Sequence, residues 1–498
     1  LPMSAHAAVA FMAAARLGAI SVPLFSGFGA DAIAQRLNHS GAKALITVGA
    51  MTRRGQSVAV GATVEQALKD VAHPVDVIVA DDHPGTYASW SDAIAHAKPV
   101  HDPVRVEADA PLLLVYTSGT TGAPKGAVLT HCGFAAKLSL DVRLCLDLKT
   151  ADRWLWMSDF GWIIGPIMIA SALMTGATLV LAQGAPDYPS PDRFWRLIED
   201  HKVSFLGLAP TLIRGEMAKR ELNLREIDLT SLRVVVSSGE PWTHSAWRWC
   251  FEQVCNETAP ILNWSGGTEI SGGILTGTVI EPVKPLAFST AVPGMGVDVY
   301  NGEGSSAAPG EIGELVLTNP SMGLTRGLWD DDQRFLDAYW TDFPDVWKHG
   351  DLASRDQDGF FHLHGRSDDV LKIGGKRTGP SEVEDLLVAT QLVSDAAVVG
   401  LSDDRAGQAI ACVCVRADDG APDEDVSQRL SAAIVDGLGR PYRPKLIGFV
   451  DELPKTRSGK VIRRLVSAVL AGRPAGDVSS LANPRSLDAI KALANLSP

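Results

Sequence analysis

Four short stretches of the sequence gather glycine, hydroxyl and charged residues in patterns suited to phosphate chemistry. The most specific is YTSGTTGAPKG, 116–126, directly after the apolar run PLLLV. Its glycines let backbone N–H groups come close to an anion, Thr117, Ser118, Thr120 and Thr121 add hydroxyl donors beside Gly119, and Lys125 supplies a compact cation. It is not a Walker A loop, because Lys125 follows proline and no Ser or Thr comes after it. The bland alternative is a Ser/Thr/Gly surface turn.

The second stretch, NWSGGTE at 263–269, sets Glu269 after a glycine turn, where a carboxylate can meet Mg²⁺ together with substrate phosphate; alone, such a residue is a solvated charge. The third joins HGD, 349–351, to GRSDD, 365–369. Asp351 can accept ribose hydroxyls and Arg366 can grip phosphate with two donors, against the plain reading of an exposed ion pair. The fourth, PKTRSGK at 454–460, presents Lys460 on a glycine-containing loop as a cation for a developing phosphoryl charge, where most basic loops are merely solvated.

Such residues must be held by a scaffold, and the apolar pattern describes one. Runs at 44–47, 75–79, 112–116, 178–182, 205–208 and 234–237 alternate with helical segments, which predicts an α/β architecture with doubly wound sheets. From 294 to 319 short runs separated by Gly-rich turns predict a β-rich subdomain, and the first 25 residues read as a helix followed by a strand. After 369 the alternation shortens, predicting a small, mobile α+β domain. The expected division is 1–366, a hinge at 367–369, and 370–498.

A net charge of −13 argues against nucleic acid or an anionic membrane as partner, and no C-x-x-C pair occurs among six cysteines, so structural zinc is not expected and a reducing, cytoplasmic setting is. The uncharged run 162–182 is long enough to span a bilayer, but Gly165-Pro166 and Thr175-Gly176 cut it into a buried helix and a strand.

Taken together and in this order, the four motifs resemble those of the adenylate-forming (AMP-binding) superfamily, within its acetyl-CoA synthetase-like branch of acyl-CoA synthetases, over the whole of 1–498. The tail GDVSSLANP, 476–484, is similar to that branch's ending, whereas the branch carries a helical and strand segment before LPM, so the N-terminal segment is expected to be missing. The resemblance implies ATP, Mg²⁺ and coenzyme A, and formation of acyl-CoA, AMP and pyrophosphate through an acyl-adenylate.

It also implies roles. Thr117 to Thr121 and Lys125 would hold the β- and γ-phosphates, and Gly239, Glu240, Pro241 and Asn263 would frame the adenine. Thr268 would touch the α-phosphate, Glu269 would bind Mg²⁺, Asp351 would take the ribose, and Arg366 and Arg377 would lie near phosphate. Lys460 would stabilise the first transition state, Asp368 would be the hinge, Gly375 would line the pantetheine channel and Arg53 would meet the CoA nucleotide.

Trp162, Ile163, Ile164, Ser238 and Gly266 would wall the acyl pocket. Gly266 stands where acetyl-CoA synthetases carry a Trp, and with each buried methylene worth about 0.8 kcal/mol the expectation is an acid larger than acetate. Acylation and deacylation enzymes acting on Lys460 are expected partners, because acylation removes its charge. The rival readings are a ligase loading a carrier protein and an inactive nucleotide-binding homologue.

Overall fold

The computed structural model describes residues 1–494 except 82–86, 118–124, 218, 220, 370, 374–375, 404–406, 418–420 and 457–458, and only the backbone of 372, 376, 377 and 407. At its centre five strands run parallel in the order Thr178–Val180, Arg153–Trp156, Phe205–Leu208, Val234–Ser237 and Ile261–Gly267. Gly272–Thr276 and Thr290–Ala291 extend the sheet antiparallel. Side chains alternate between two cores. Trp154, Phe205 and Val234 enter one with Phe134 and Ile167, and Leu155, Leu206 and Val235 enter the other with Trp195 and Trp247. A parallel sheet covered on both faces needs this continuous apolarity.

Ala44–Thr47, Asp76–Val79 and Ala88–Ser89 form a smaller parallel sheet, and Pro111–Thr117 pairs with Lys125–Thr130 as a hairpin. The β-rich subdomain is a four-stranded antiparallel sheet of Val297–Tyr300, Gly313–Leu317, Trp347–Arg355 and Phe361–Arg366. Beyond it, Val393–Asp403, Gly407–Arg416 and Leu446–Phe449 make a three-stranded sheet with its own cores. Val398 and Cys412 pack toward helices Pro380–Ala389 and Asp423–Leu438, while Ala397 and Val413 pack toward Arg463–Leu470 and Ser486–Ala494.

The run 162–182 becomes the buried helix Ile164–Thr175 and the strand Thr178–Val180, joined at Gly176, whose φ of +77° closes the helix. Among the described residues no helix is long and apolar enough to cross a membrane. One expectation is corrected. After helix Ala5–Arg16 the chain is extended but forms only a bridge from Ser21 to Leu113, because Pro23 has no N–H to continue a ladder.

Candidate active site

The site grows from strand ends. Thr117 and Lys125 face each other where the phosphate hairpin opens, while Ser118, Gly119, Thr120 and Thr121 lie outside the described residues. Lys125 Nζ stands 5.3 Å from the ring centroid of Tyr339. Burial lowers its pKa, Glu269 opposes that shift, and Arg334 and Arg366 reinforce it. Tyr339 stacks on Trp347 at 4.2 Å and donates its hydroxyl to Glu269 Oε1 at 2.7 Å. Its own pKa is pushed up by burial and by the Glu269 charge. Thus Lys125, Tyr339 and Glu269 meet although far apart in sequence.

Thr268 and Glu269 sit in the turn between Ile261–Gly267 and Gly272–Thr276, completed by Ser271 at φ +61°. Beneath this hairpin lies a fully buried ion pair. Lys137 Nζ donates to Asp141 and to the Gly273 carbonyl at 2.6 Å, and Asp141 Oδ2 accepts from Gly273 N at 2.6 Å. Burial lowers the Lys137 pKa and raises that of Asp141.

Gly266 has a structural task of its own. An ideal Cβ there would lie 2.0 Å from the Gly272 carbonyl oxygen, because the strand pairing bulges between Ser265 and Gly266. The glycine therefore serves strand pairing. Trp162 lines a cavity of about 430 Å³ shared with Arg53, Trp156, Leu212 and Gly459. Its indole N–H is buried without a hydrogen-bond partner among the described residues. Ile163 and Ile164 pack against the sheet's core, and Ser238 is half-buried at the end of its strand.

On the adenine side, Gly239 takes φ +103° and Pro241 is exposed. Glu240 is gripped from the start of helix Pro210–Met217: Thr211 N donates to it at 2.5 Å, the Thr211 hydroxyl also donates, and Arg214 Nη2 reaches it at 3.0 Å. Asn263 is buried, donating Nδ2 to the Ala287 carbonyl at 2.8 Å; its Oδ1 has no partner among the described residues. A buried acceptor without a donor suits a ligand N–H.

Asp351 and Arg366 are directly opposite on neighbouring strands, with Arg366 Nη1 3.5 Å from Asp351 Oδ1 and 3.3 Å from the His349 carbonyl. Gly350 makes this approach possible, since a Cβ there would stand 2.7 Å from the guanidinium and φ is +85°. His349 is buried, which lowers its pKa and favours the neutral ring, and its Nε2 is 3.4 Å from Asp351. Exposed Asp368 lies 3.5 Å from Arg366 Nε. Gly375 and the Arg377 side chain lie outside the described residues.

Lys460 comes from the C-terminal unit. Its side chain reaches solvent, yet the surrounding protein lowers its pKa; Arg366 and Arg463 add to that, and Asp351 and Glu240 oppose it. Gly459, at φ +89°, packs against Thr211, whose methyl would be 2.7 Å from a Cβ there. The lysine loop therefore docks on the helix that grips Glu240. Tyr339, Thr211, Arg214 and the Lys137–Asp141 pair were not singled out by motif; the glycine pair 272–273 was the one available signal, since Asp141 and Trp264 occupy the space a side chain would need there.

Residues 1–329 match the family model for AMP-binding enzymes, and 382–460 match the AMP-binding enzyme C-terminal domain. The chain is 36% identical over 505 residues to an acetyl-coenzyme A synthetase of Pyrobaculum aerophilum, covering 99% of this chain and 75% of that one. It is 35% identical over 509 residues to a 3-hydroxypropionyl-coenzyme A synthetase of Sulfurisphaera tokodaii, covering 99% and 77%. Among solved structures it superposes on an acetoacetyl-CoA synthetase from Streptomyces lividans with a TM-score of 0.88 and 26% identity, over 100% of this chain and 77% of that one.

Proposed function

The chain belongs to the AMP-binding enzymes and is an acyl-CoA synthetase, an AMP-forming acid–thiol ligase, and on that premise we propose where its two half-reactions take place. The observation carrying the proposal is the docking of the lysine loop on the large domain: Gly459 packs against Thr211, which with Arg214 holds Glu240.

In the first half-reaction a carboxylate oxygen attacks the α-phosphorus of ATP and pyrophosphate leaves. Negative charge builds on the phosphoryl oxygens, and Lys460, Arg366 and Lys125 answer it from fixed positions. Asn263 Oδ1 accepts from the adenine, beside Gly239, Glu240 and Pro241, and Asp351 accepts from the ribose. Thr268 donates to the α-phosphate, with Thr117 and 118–121 around the pyrophosphate. Glu269, oriented by Tyr339, would hold Mg²⁺: a single carboxylate beside polyphosphate is a donor set that ion favours, and when bound it neutralises phosphate charge.

In the second half-reaction the CoA thiol attacks the acyl carbonyl and AMP leaves. The cavity bounded by Trp162, Arg53 and Gly459 is proposed as its approach, with the acid bound at the Trp162 end. Lys460 then has to move away, and rotation about Asp368, which would bring Gly375 and Arg377 inward, is proposed to do this. The six unpaired cysteines, Cys132 exposed among them, support a reducing compartment, the cytoplasm. Solvent-reaching Lys460 is also proposed as a site for regulatory acylation.

The test measures AMP and acyl-CoA formed from ATP, Mg²⁺ and CoA with acids from acetate to octanoate, using Lys460→Ala as control. Thioester that disappears in the control supports the assignment. Acyl-adenylate without thioester would identify a carrier-protein acceptor, and ATP binding without turnover an inactive homologue.

A further inference from the structure

Arg36 is a buried charge, 4% exposed, that the reaction above does not use. It lies on helix Ala30–Ser40 of the large domain, with its guanidinium carbon 4.1 Å from the Phe28 ring centroid and 5.6 Å from that of Tyr116. Tyr116 opens the phosphate hairpin's loop and is held in turn by His39 Nδ1 at 2.7 Å. Arg36 Nη1 donates to the Ala32 carbonyl at 2.9 Å, and Nη2 reaches across to Ser479 Oγ at 3.4 Å, with the Asp477 charge nearby.

Ser479 lies in the tail of the C-terminal unit, and that tail is fastened to the lysine loop. Leu481 bridges Thr456, Ala482 N donates to the Lys455 carbonyl at 2.8 Å, and Asn483 Oδ1 accepts from Lys455 N at 3.0 Å. Asn483 Nδ2 donates to the Leu453 carbonyl at 2.8 Å. Within the loop, Thr456 N donates to the Lys460 carbonyl at 2.8 Å and Lys460 N to Thr456 Oγ1 at 3.1 Å. At its other end the tail is pinned by Arg464, which donates to the Ala475 carbonyl at 2.6 Å. Hydrogen bonds thus run from Arg36 through the tail to Lys460 itself.

We propose that Arg36 is a positioning residue for acyl-adenylate formation, the seat on the large domain for residues 477–483, through which it sets Lys460 over the nucleotide cleft. The proposal rests on the role assigned to Lys460 above. Arg36 touches no substrate in this arrangement; it acts only while the C-terminal unit is docked with its lysine loop inward. Its loss therefore slows the first half-reaction and leaves the second unchanged.

The test compares acid-dependent ATP–pyrophosphate exchange with thioester formation from preformed acyl-adenylate and CoA. Arg36→Gln should lower kcat for exchange about tenfold with little change in the KM for ATP, the scale of one lost hydrogen bond to a charged group. Ser479→Ala, a mild change at the other end of the contact, should lower it about threefold, Arg36→Lys should restore part of the rate, and the double variant should be no worse than Arg36→Gln. Thioester formation should stay at the parent rate throughout. If Lys460→Ala leaves exchange intact, the underlying reading fails. If that variant abolishes exchange but Arg36→Gln and Ser479→Ala leave it unchanged, slow both half-reactions equally, or combine additively, the seat is refuted.

Discussion

Replacing Lys137 with Met should destabilise the large domain far more than an ordinary surface change. Both members of the Lys137–Asp141 pair are 0% exposed, and together they hold the N–H and carbonyl of Gly273. Lys137→Met leaves a carboxylate in the core that keeps the Gly273 N–H but has lost its cation, and breaking such a pair costs about 3–5 kcal/mol. Adding Asp141→Asn removes the stranded charge while keeping an acceptor for Gly273 N. What remains is an unpaired Gly273 carbonyl, about 1–3 kcal/mol. The double variant should therefore be more stable than the single one, although it carries more changes. Urea unfolding followed by tryptophan fluorescence measures this in the right place, because all 12 tryptophans precede residue 348. A cost for Lys137→Met below about 1 kcal/mol, or a double variant less stable than the single, would refute the reasoning.

Gly266→Ala should lower the melting temperature, by an overpacking cost of about 1–3 kcal/mol, without altering the preferred acid; a changed acid profile in kcat/KM would show that the position walls the acyl pocket. Tyr339→Phe should raise the Mg²⁺ concentration needed for half-maximal rate, since Glu269 loses its 2.7 Å donor, while the KM for the acid stays put. The Asp385 carboxyl is pushed up from 3.8 to about 7, by burial first and then by Glu384, with Glu382 adding and Arg214 and Arg463 opposing. A raised acid stabilises the fold below pH 3.8, and that contribution fades as pH rises through 7. Asp385→Asn stays neutral, so its melting temperature relative to the parent should climb between pH 4 and pH 8; a flat difference would contradict the assignment.

The elements legible in the sequence were those whose signal is local. The apolar runs at 205–208 and 234–237 emerged as strands at those bounds, because a strand buried on both faces reads as a short continuous apolar run too brief for a helix. The strand leading into the 116–126 motif and the nearness of Asp351 to Arg366 were written in short motifs, and at Gly350 the glycine has a geometric task; the return strand Lys125–Thr130 was not read. What stayed hidden depends on distant packing. Tyr339 reaches Glu269 across 70 residues, and Thr211 meets Gly459 only once two domains dock. The packing at Gly266 was hidden in the same way: the neighbouring strand occupies the space a Cβ would take.

Acid-dependent exchange of pyrophosphate into ATP, measured for the parent and Lys460→Ala, tests the central claim most directly. With Lys460 as the cation that meets the developing phosphoryl charge, exchange should fall by about 10²-fold or more while preformed acyl-adenylate is still converted to thioester. Exchange at the parent rate in Lys460→Ala would contradict the account.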